Sequence, residues 1–135
     1  SQADGLGILP AYVLDASAFL AFLHGEVGAN TVEPLLSRSV ISSVNWAEVL
    51  QRAISLNLGI QGRRGELESL GLRILPFTAE DAESIALLWP STRRAGLSLG
   101  DRACLSLAQK LGLPALTADR GWRTLGLEVE VRLIR

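Results

Sequence analysis

The chain has 135 residues, of which 48% are hydrophobic and 20% are charged, a balance that predicts one globular domain with its own apolar core. Its net charge of −1 argues against bulk electrostatic binding of nucleic acid, although twelve of its thirteen basic residues are arginines. The one cysteine excludes a disulfide framework and a zinc-ligand spacing, which fits a reducing cytoplasm. No apolar run has the length of a membrane span, and no signal-peptide pattern opens the chain.

The organisation along the chain is simple. Residues 1–7 are expected to be disordered or left from processing, because the chain starts at Ser1 and contains no methionine. The single domain is therefore predicted to cover residues 8–135. Strand-like apolar runs alternate with helical patterns over that range, which predicts an α/β domain with a largely parallel central sheet of four to five strands.

A first acidic residue follows the first predicted strand. Tyr12-Val13-Leu14 is an apolar run typical of a strand buried on both faces, and Asp15 comes directly after it. Residues 16–24 then predict a short helix that stops at Gly25. Asp15 is therefore expected where the carboxyl end of a strand turns into a helix.

A second acidic residue lies on a predicted long helix. After a short helix over residues 30–36, Val40-Ile41 predicts a second strand, and the serines that follow it offer caps for a helix over residues 43–58. Glu48 is expected in the first turn of this helix, where the helix dipole favours a carboxylate for structural reasons alone. The apolar face of the helix is predicted to comprise Ala47, Leu50, Ile54 and Leu58.

A third strand is predicted over residues 73–77, after a short helix that ends near Leu70. Thr78 and Asp81 then form a Thr-x-x-Asp capping box that opens another helix, which Pro90 kinks or ends. The apolar stripe of that helix is predicted to be Ala82, Ile85, Ala86 and Trp89.

Two further acidic residues frame the stretch 98–119. Ser98 and Asp101 form a capping box for a helix whose predicted stripe is Cys104, Leu107, Ala108 and Leu111. A nearly all-apolar strand over residues 115–118 ends at Asp119, and the alternating residues 127–133 predict a final, half-buried edge strand. Taken singly, Asp101 is most simply a capping residue and Asp119 a turn residue.

The four acidic residues are more informative together than they are singly. Strand carboxyl ends and helix N-termini share one edge of an open parallel sheet, so Asp15, Glu48, Asp101 and Asp119 are predicted to converge there. Packed carboxylates repel one another, and a divalent cation removes that cost. A ligand set made only of oxygens favours Mg²⁺ or Mn²⁺. Setting these four acids aside leaves 13 basic against 10 acidic residues, or +3, which suits a phosphate backbone modestly.

Other catalytic chemistries have little support. The only histidine, His24, lies beside a glycine at a helix end, and Cys104 lies on an apolar stripe. Glycine-rich phosphate-binding loops are absent from the sequence. A phosphate-accepting receiver domain needs a lysine after a late strand, whereas the only lysine, Lys110, lies inside a predicted helix. A haloacid-dehalogenase-like phosphatase needs Asp-x-Asp at the first strand, whereas this chain has Asp15-Ala-Ser17.

Four segments in this order resemble the PIN-domain ribonucleases, and among them the VapC-type toxins of toxin–antitoxin pairs. They are Val13-Leu-Asp15-Ala-Ser17-Ala, Ser43-Val-Asn45-Trp-Ala-Glu48-Val, Leu97-Ser98-Leu-Gly-Asp101-Arg-Ala-Cys-Leu-Ser-Leu-Ala and Leu116-Thr117-Ala-Asp119-Arg-Gly-Trp122. The resemblance implies a three-layer α/β/α fold and RNA cleavage dependent on Mg²⁺ or Mn²⁺. In that reading Asp15, Asp101 and Asp119 hold the metal, and Glu48 does so directly or through water.

The resemblance also implies partners: an RNA substrate, a second copy in a homodimer, and a VapB-type antitoxin whose C-terminal segment covers the acidic groove. No membrane is implied. Two alternatives stay open, a PIN-domain RNA-processing nuclease without an antitoxin and a catalytically inactive RNA-binding module. An RNase assay with an Asp101→Asn control separates an enzyme from a binding module.

Supporting roles are predicted for residues close to the acids in sequence. Four small polar residues are expected to hold the carboxylates by hydrogen bonds, with helix capping as the alternative for the two serines: Ser17, Asn45, Ser98 and Thr117. Five arginines are candidates for contacts to RNA phosphates: Arg93, Arg94, Arg102, Arg120 and Arg123.

Overall fold

The structure is a computed structural model that describes residues 9–135, so the prediction for residues 1–7 lies outside the described residues. A five-stranded sheet forms the centre of the fold, and all of its neighbouring strands pair in parallel. In chain order the strands are β1 (Tyr12–Leu14), β2 (Ser39–Ser42), β3 (Arg73–Leu75), β4 (Ala115–Thr117) and β5 (Val131–Leu133). Their order across the sheet is β3-β2-β1-β4-β5, so β1 is central and β5 lies at an edge.

Helices connect the strands. They are α1 (Ala16–His24), α2 (Ala29–Val32), α3 (Ser43–Ser55), α4 (Arg64–Ser69), α5 (Ala79–Leu87), α6 (Trp89–Thr92) and α7 (Leu99–Leu111). Three short 3₁₀ segments cover residues 33–38, 93–95 and 120–124. None of the helices within residues 9–135 combines the length and the apolar character that crossing a lipid bilayer requires.

The two faces of the sheet pack against separate apolar clusters. Leu14, Ile41 and Leu116 point to one face, where they pack with buried residues of α1 and α3. Their strand neighbours Val13 and Val40 point to the other face, toward Cys104 and Leu105 of α7. Alternate strand residues face opposite sides of a sheet, so the buried pattern explains the three layers. The predicted α/β/α fold with a parallel sheet is confirmed.

The predicted helix over residues 43–58 is shorter and rotated. It ends at Ser55, because Asn57 adopts a left-handed conformation with φ of 57°. Glu48 is its sixth residue and so lies in the second turn, not the first. The predicted face was wrong in part. Leu50 and Leu58 are partly buried against the core, but Ala47 and Ile54 are exposed. The fully buried residues of the helix are Asn45, Trp46, Val49 and Ala53. Trp46 sets this orientation, because its ring packs edge-on against Phe19 at 5.9 Å.

The stripe predicted for α5 was also largely wrong. Only Ile85 is buried, because α5 packs on the outside of α7 and a separate short helix begins at Trp89. The predicted apolar stripe of α7 is buried at Cys104 and Ala108, as expected. Leu111, at the end of the helix, is exposed, so the prediction was wrong there. The final strand covers only residues 131–133 of the alternating stretch, because β4 offers three residues for pairing.

Candidate functional site

The four acidic residues lie at one edge of the sheet. Asp15 follows β1 directly and Asp119 follows β4 by two residues, while Glu48 lies on the helix that leaves β2. Asp101 lies in the first turn of α7, the helix that leads into β4. Because β1, β2 and β4 are parallel neighbours, their carboxyl ends place these four residues along one edge of the sheet, which we call the acidic crevice.

Asp15 is the most buried of the four. It is 5% exposed, and three donors hold its carboxylate: the Ser17 hydroxyl at 2.7 Å and the Ala18 amide at 2.9 Å on Oδ1, and the Thr117 hydroxyl at 2.7 Å on Oδ2. Burial raises the pKa of Asp15 from 3.8 to about 6, the charge of Asp101 adds to this, and the hydrogen bonds act in the opposite direction. Asp15 is therefore a carboxylate whose charge is costly without a nearby cation.

Glu48 is held against α7 by its neighbour one turn earlier. Asn45 is buried, and its Nδ2 donates to Glu48 Oε1 at 2.9 Å and to the Gly100 carbonyl at 2.9 Å. The Glu48 carboxylate occupies the space where a side chain at Gly100 would begin, so any larger residue there would displace Glu48. This contact joins α3 to the start of α7, one residue before Asp101.

Asp101 forms the predicted capping box. Its Oδ2 accepts the Ser98 amide at 2.9 Å, while the Ser98 hydroxyl accepts the Asp101 amide at 3.1 Å. Burial raises the pKa of the nearby Cys104 thiol well above its ordinary value, and the charges of Asp15, Asp101 and Glu48 add to that shift. Asp15, Asp101 and Glu48 therefore all lie close enough to the buried Cys104 thiol for their negative charges to act on it.

Asp119 joins this group through its backbone. Its amide donates to the Thr117 hydroxyl at 2.9 Å, and the same hydroxyl donates to Asp15. Its own carboxylate caps the 3₁₀ segment 120–124 by accepting the Gly121 amide at 2.9 Å. Each of the four small polar residues thus contacts at least one of the four acids, and Thr117 contacts two: Ser17, Asn45, Ser98 and Thr117. Their role toward a metal stays a prediction.

The donor set has the chemistry that Mg²⁺ and Mn²⁺ require. All four groups are carboxylates, and one oxygen each of Glu48, Asp101 and Asp119 accepts no hydrogen bond from residues 9–135. Within the same residues, no three Asp, Glu, His or Cys side chains are placed so that they would hold an ion. Carboxylate oxygens around the buried Asp15 are the ligand type that a divalent cation prefers. The described side chains as placed do not form an ion-binding group, so the ligand set stays a prediction.

The pH dependence of stability tests the environment of Asp15. Between pH 3.8 and about 6 the folded chain binds more protons at Asp15 than the unfolded chain does. Stability in chelator is therefore expected to fall as the pH rises through this window, by about 3 kcal/mol in total. Urea unfolding of the protein and of Asp15→Asn from pH 4 to 7 measures this, since asparagine keeps the cap and removes the titration. Equal pH dependence in both proteins would contradict the effect.

The candidate arginines have different surroundings. Arg93 lies over the Trp89 ring at 5.4 Å, and Arg102 Nη1 donates to the Ile85 carbonyl at 3.3 Å, so both pack against protein. Arg123 lines a cavity of about 150 Å³ beside Trp122. Except for Arg102, which is partly buried, all five of these arginines are exposed. Whether any of the five contacts RNA stays a prediction.

Two residues of this region were not predicted from the sequence. A glycine in the first turn of a helix weakens it, and this cost at Gly100 is a signal of a close approach. Arg52 lies one turn after Glu48 on α3, a spacing that points to the same helix face. Neither carries an acidic group, so a search for clustered carboxylates does not select them.

The chain matches the PIN domain family over residues 12–127. A comparison with the sequences of curated proteins gives no significant match. The fold is similar to that of a toxin–antitoxin complex from Klebsiella pneumoniae, with a TM-score of 0.70, 19% identity and coverage of 93% of this chain and 98% of that one.

Two other solved structures are similar over most of their length. FitAcB from Neisseria gonorrhoeae has a TM-score of 0.66 and 23% identity, covering 89% of this chain and 95% of that one. VapBC-5 from Mycobacterium tuberculosis, a member of the VapBC family of toxin–antitoxin systems, has a TM-score of 0.59 and 26% identity, covering 93% and 99%. The family match spans residues 12–127, which is most of the chain and includes all four acidic residues. The chain therefore belongs to the PIN domain family.

Proposed function

We propose that the chain is an endoribonuclease dependent on Mg²⁺ or Mn²⁺ and the toxin of a VapBC-type toxin–antitoxin pair. The observation that carries the proposal is the buried carboxylate of Asp15 at the centre of the acidic crevice. A buried carboxylate whose pKa is raised by desolvation and by a second acid is stabilised when a cation binds beside it.

The residues that would hold the metal are Asp15, Asp101 and Asp119, with Glu48 binding it directly or through water. Once bound, a divalent cation lowers the pKa of a water and stabilises negative charge on a phosphodiester. Ser17 and Thr117 orient Asp15 by donating to both of its oxygens. Asn45 holds Glu48 toward α7, so that both sides of the crevice are positioned by hydrogen bonds.

The proposed toxin function also implies which partners the chain has. Several structures with similar folds are described as toxin–antitoxin or VapBC complexes, and three of the similar structures are described as bound to DNA. We infer a VapB-type antitoxin that covers the acidic crevice of this chain, an RNA substrate, a homodimer, and action in the cytoplasm. A basic side chain of the antitoxin would compensate the acids in place of the metal.

The test is RNA cleavage by the purified chain with Mg²⁺, with Mn²⁺ and with chelator. Internal cleavage that requires either metal is the expected result, and RNA binding without cleavage would instead indicate the inactive binding module. Adding the product of a small neighbouring reading frame distinguishes the two nuclease alternatives. A toxin is inhibited by that product, whereas a processing nuclease is unaffected.

A further inference from the structure

A second hollow adjoins the acidic crevice, between α1 and the end of α3. Its volume is about 190 Å³, and Ser17 lines one end of it. The Ser17 hydroxyl is one of the three donors to Asp15, so the hollow begins directly beside the buried carboxylate. Leu20 and Leu56 form apolar walls, and Arg52 lines the side that belongs to α3.

Arg52 is a cation without an ion-pair partner in the part of the chain that the structure describes. It also lines a neighbouring hollow together with Glu48, so it stands between the acids and the α1 side of the crevice. A glutamate four residues before an arginine on a helix ordinarily forms an ion pair with it. Here Asn45 draws the Glu48 carboxylate toward Gly100, and within residues 9–135 the guanidinium of Arg52 forms no ion pair.

The other charged groups of the hollow neutralise one another. Glu26 accepts from His24 at 3.0 Å and from Arg135 at 3.0 Å, and Arg135 also donates to the Val27 carbonyl at 3.0 Å. Arg52 is therefore the group that is left to attract an anion there. A guanidinium binds phosphate through two parallel hydrogen bonds, and the leucine walls suit the apolar faces of a sugar or base.

We propose that Arg52 and this hollow form a binding subsite for one RNA phosphate and its attached nucleoside, next to the position of cleavage. The subsite rests on the RNA-nuclease function proposed above and extends it by giving the RNA backbone a path along α1 and α3. A path on that side differs from the one that the five arginines near α6, α7 and β4 would provide.

The experiment uses the full chain in an Asp101→Asn background, which removes cleavage. Affinity for a short, labelled single-stranded RNA is measured by fluorescence anisotropy at several salt concentrations with Mg²⁺ present. Arg52→Ala is expected to weaken binding by about three- to ten-fold at low salt. It should also flatten the plot of log affinity against log salt by about 0.7, the loss of one single-strand phosphate contact.

Two variants control for charge and for position. Arg52→Lys is expected to keep the salt slope and lose part of the affinity, because lysine keeps the charge without the bidentate geometry. Arg38→Ala removes an exposed arginine just before β2, at the opposite edge of the sheet, and should change neither quantity.

The outcomes test the proposed subsite and the proposed nuclease function separately. A slope and affinity for Arg52→Ala equal to those of Arg38→Ala would overturn the subsite, while RNA cleavage by the unsubstituted chain would leave the proposed function standing. Loss of antitoxin affinity without loss of RNA affinity would assign Arg52 to the antitoxin and also overturn the subsite. A failure of the chain to bind or cleave any RNA would overturn both proposals.

Discussion

Asp101→Asn is expected to lower RNA cleavage by about 100-fold or more while leaving the fold intact. The charge of Asp101 acts on Asp15, and its removal takes away one of the carboxylates proposed to hold the metal. Asparagine still offers an oxygen to the Ser98 amide, so the capping box is largely kept. The free energy of unfolding in chelator is expected to stay within about 1 kcal/mol of that of the unsubstituted chain. The favourable charge of the Asp101 cap is lost, but the repulsion between Asp101 and Asp15 is lost with it.

The chain contains its own matched control for this variant. Asp81 occupies the same capping-box position at the start of α5, where it accepts the Thr78 amide at 2.8 Å and pairs with Lys110 at 3.3 Å. Asp81→Asn should lower stability somewhat more than Asp101→Asn, because it weakens the pairing with Lys110 and relieves no repulsion, and it should leave cleavage unchanged. A large destabilisation of Asp101→Asn in chelator, with cleavage retained, would mean that Asp101 is a structural cap alone.

Gly100→Ala is expected to lower cleavage by about 100-fold with little loss of stability. The added methyl group would collide with the Glu48 carboxylate, which is the far end of a flexible side chain and moves away more easily than backbone does. Displacing Glu48 breaks its hydrogen bond with Asn45, and small displacements of positioned groups cost about two orders of magnitude in rate. Alanine's higher helix propensity offsets the lost hydrogen bond to within about 1 kcal/mol.

Two comparisons assign the effect to Glu48. Gly65→Ala, in α4, places the same methyl group in open space and should leave cleavage unchanged while raising stability by about 0.5–1 kcal/mol. In a Glu48→Ala background, Gly100→Ala should have no further effect on cleavage. An additional loss in that background would show that Gly100 matters for a reason other than its contact with Glu48. Cleavage rate and urea unfolding are the two measurements.

Local features of the fold were well predicted from the sequence, because they depend on neighbouring residues. The strand at residues 12–14, the helix at 16–24 and both capping boxes formed as expected, since each is specified by side chains within one or two turns. The face of α3 was wrong because two stripes fit a helical period. The buried stripe is the one that contains Trp46, because the Trp46 ring packs against Phe19 of α1.

The sequence by itself determined that Asp81 and Asp101 each cap a helix, and their two capping boxes are alike. Only the tertiary structure decided which charges surround each carboxylate. The strand order puts β1 between β2 and β4, which brings Asp101 close enough to act on the buried Asp15, whereas Asp81 meets the ammonium group of Lys110. A cap needs hydrogen bonds within one turn, but a raised pKa and an uncompensated charge depend on residues that are distant in the chain and adjacent in the fold.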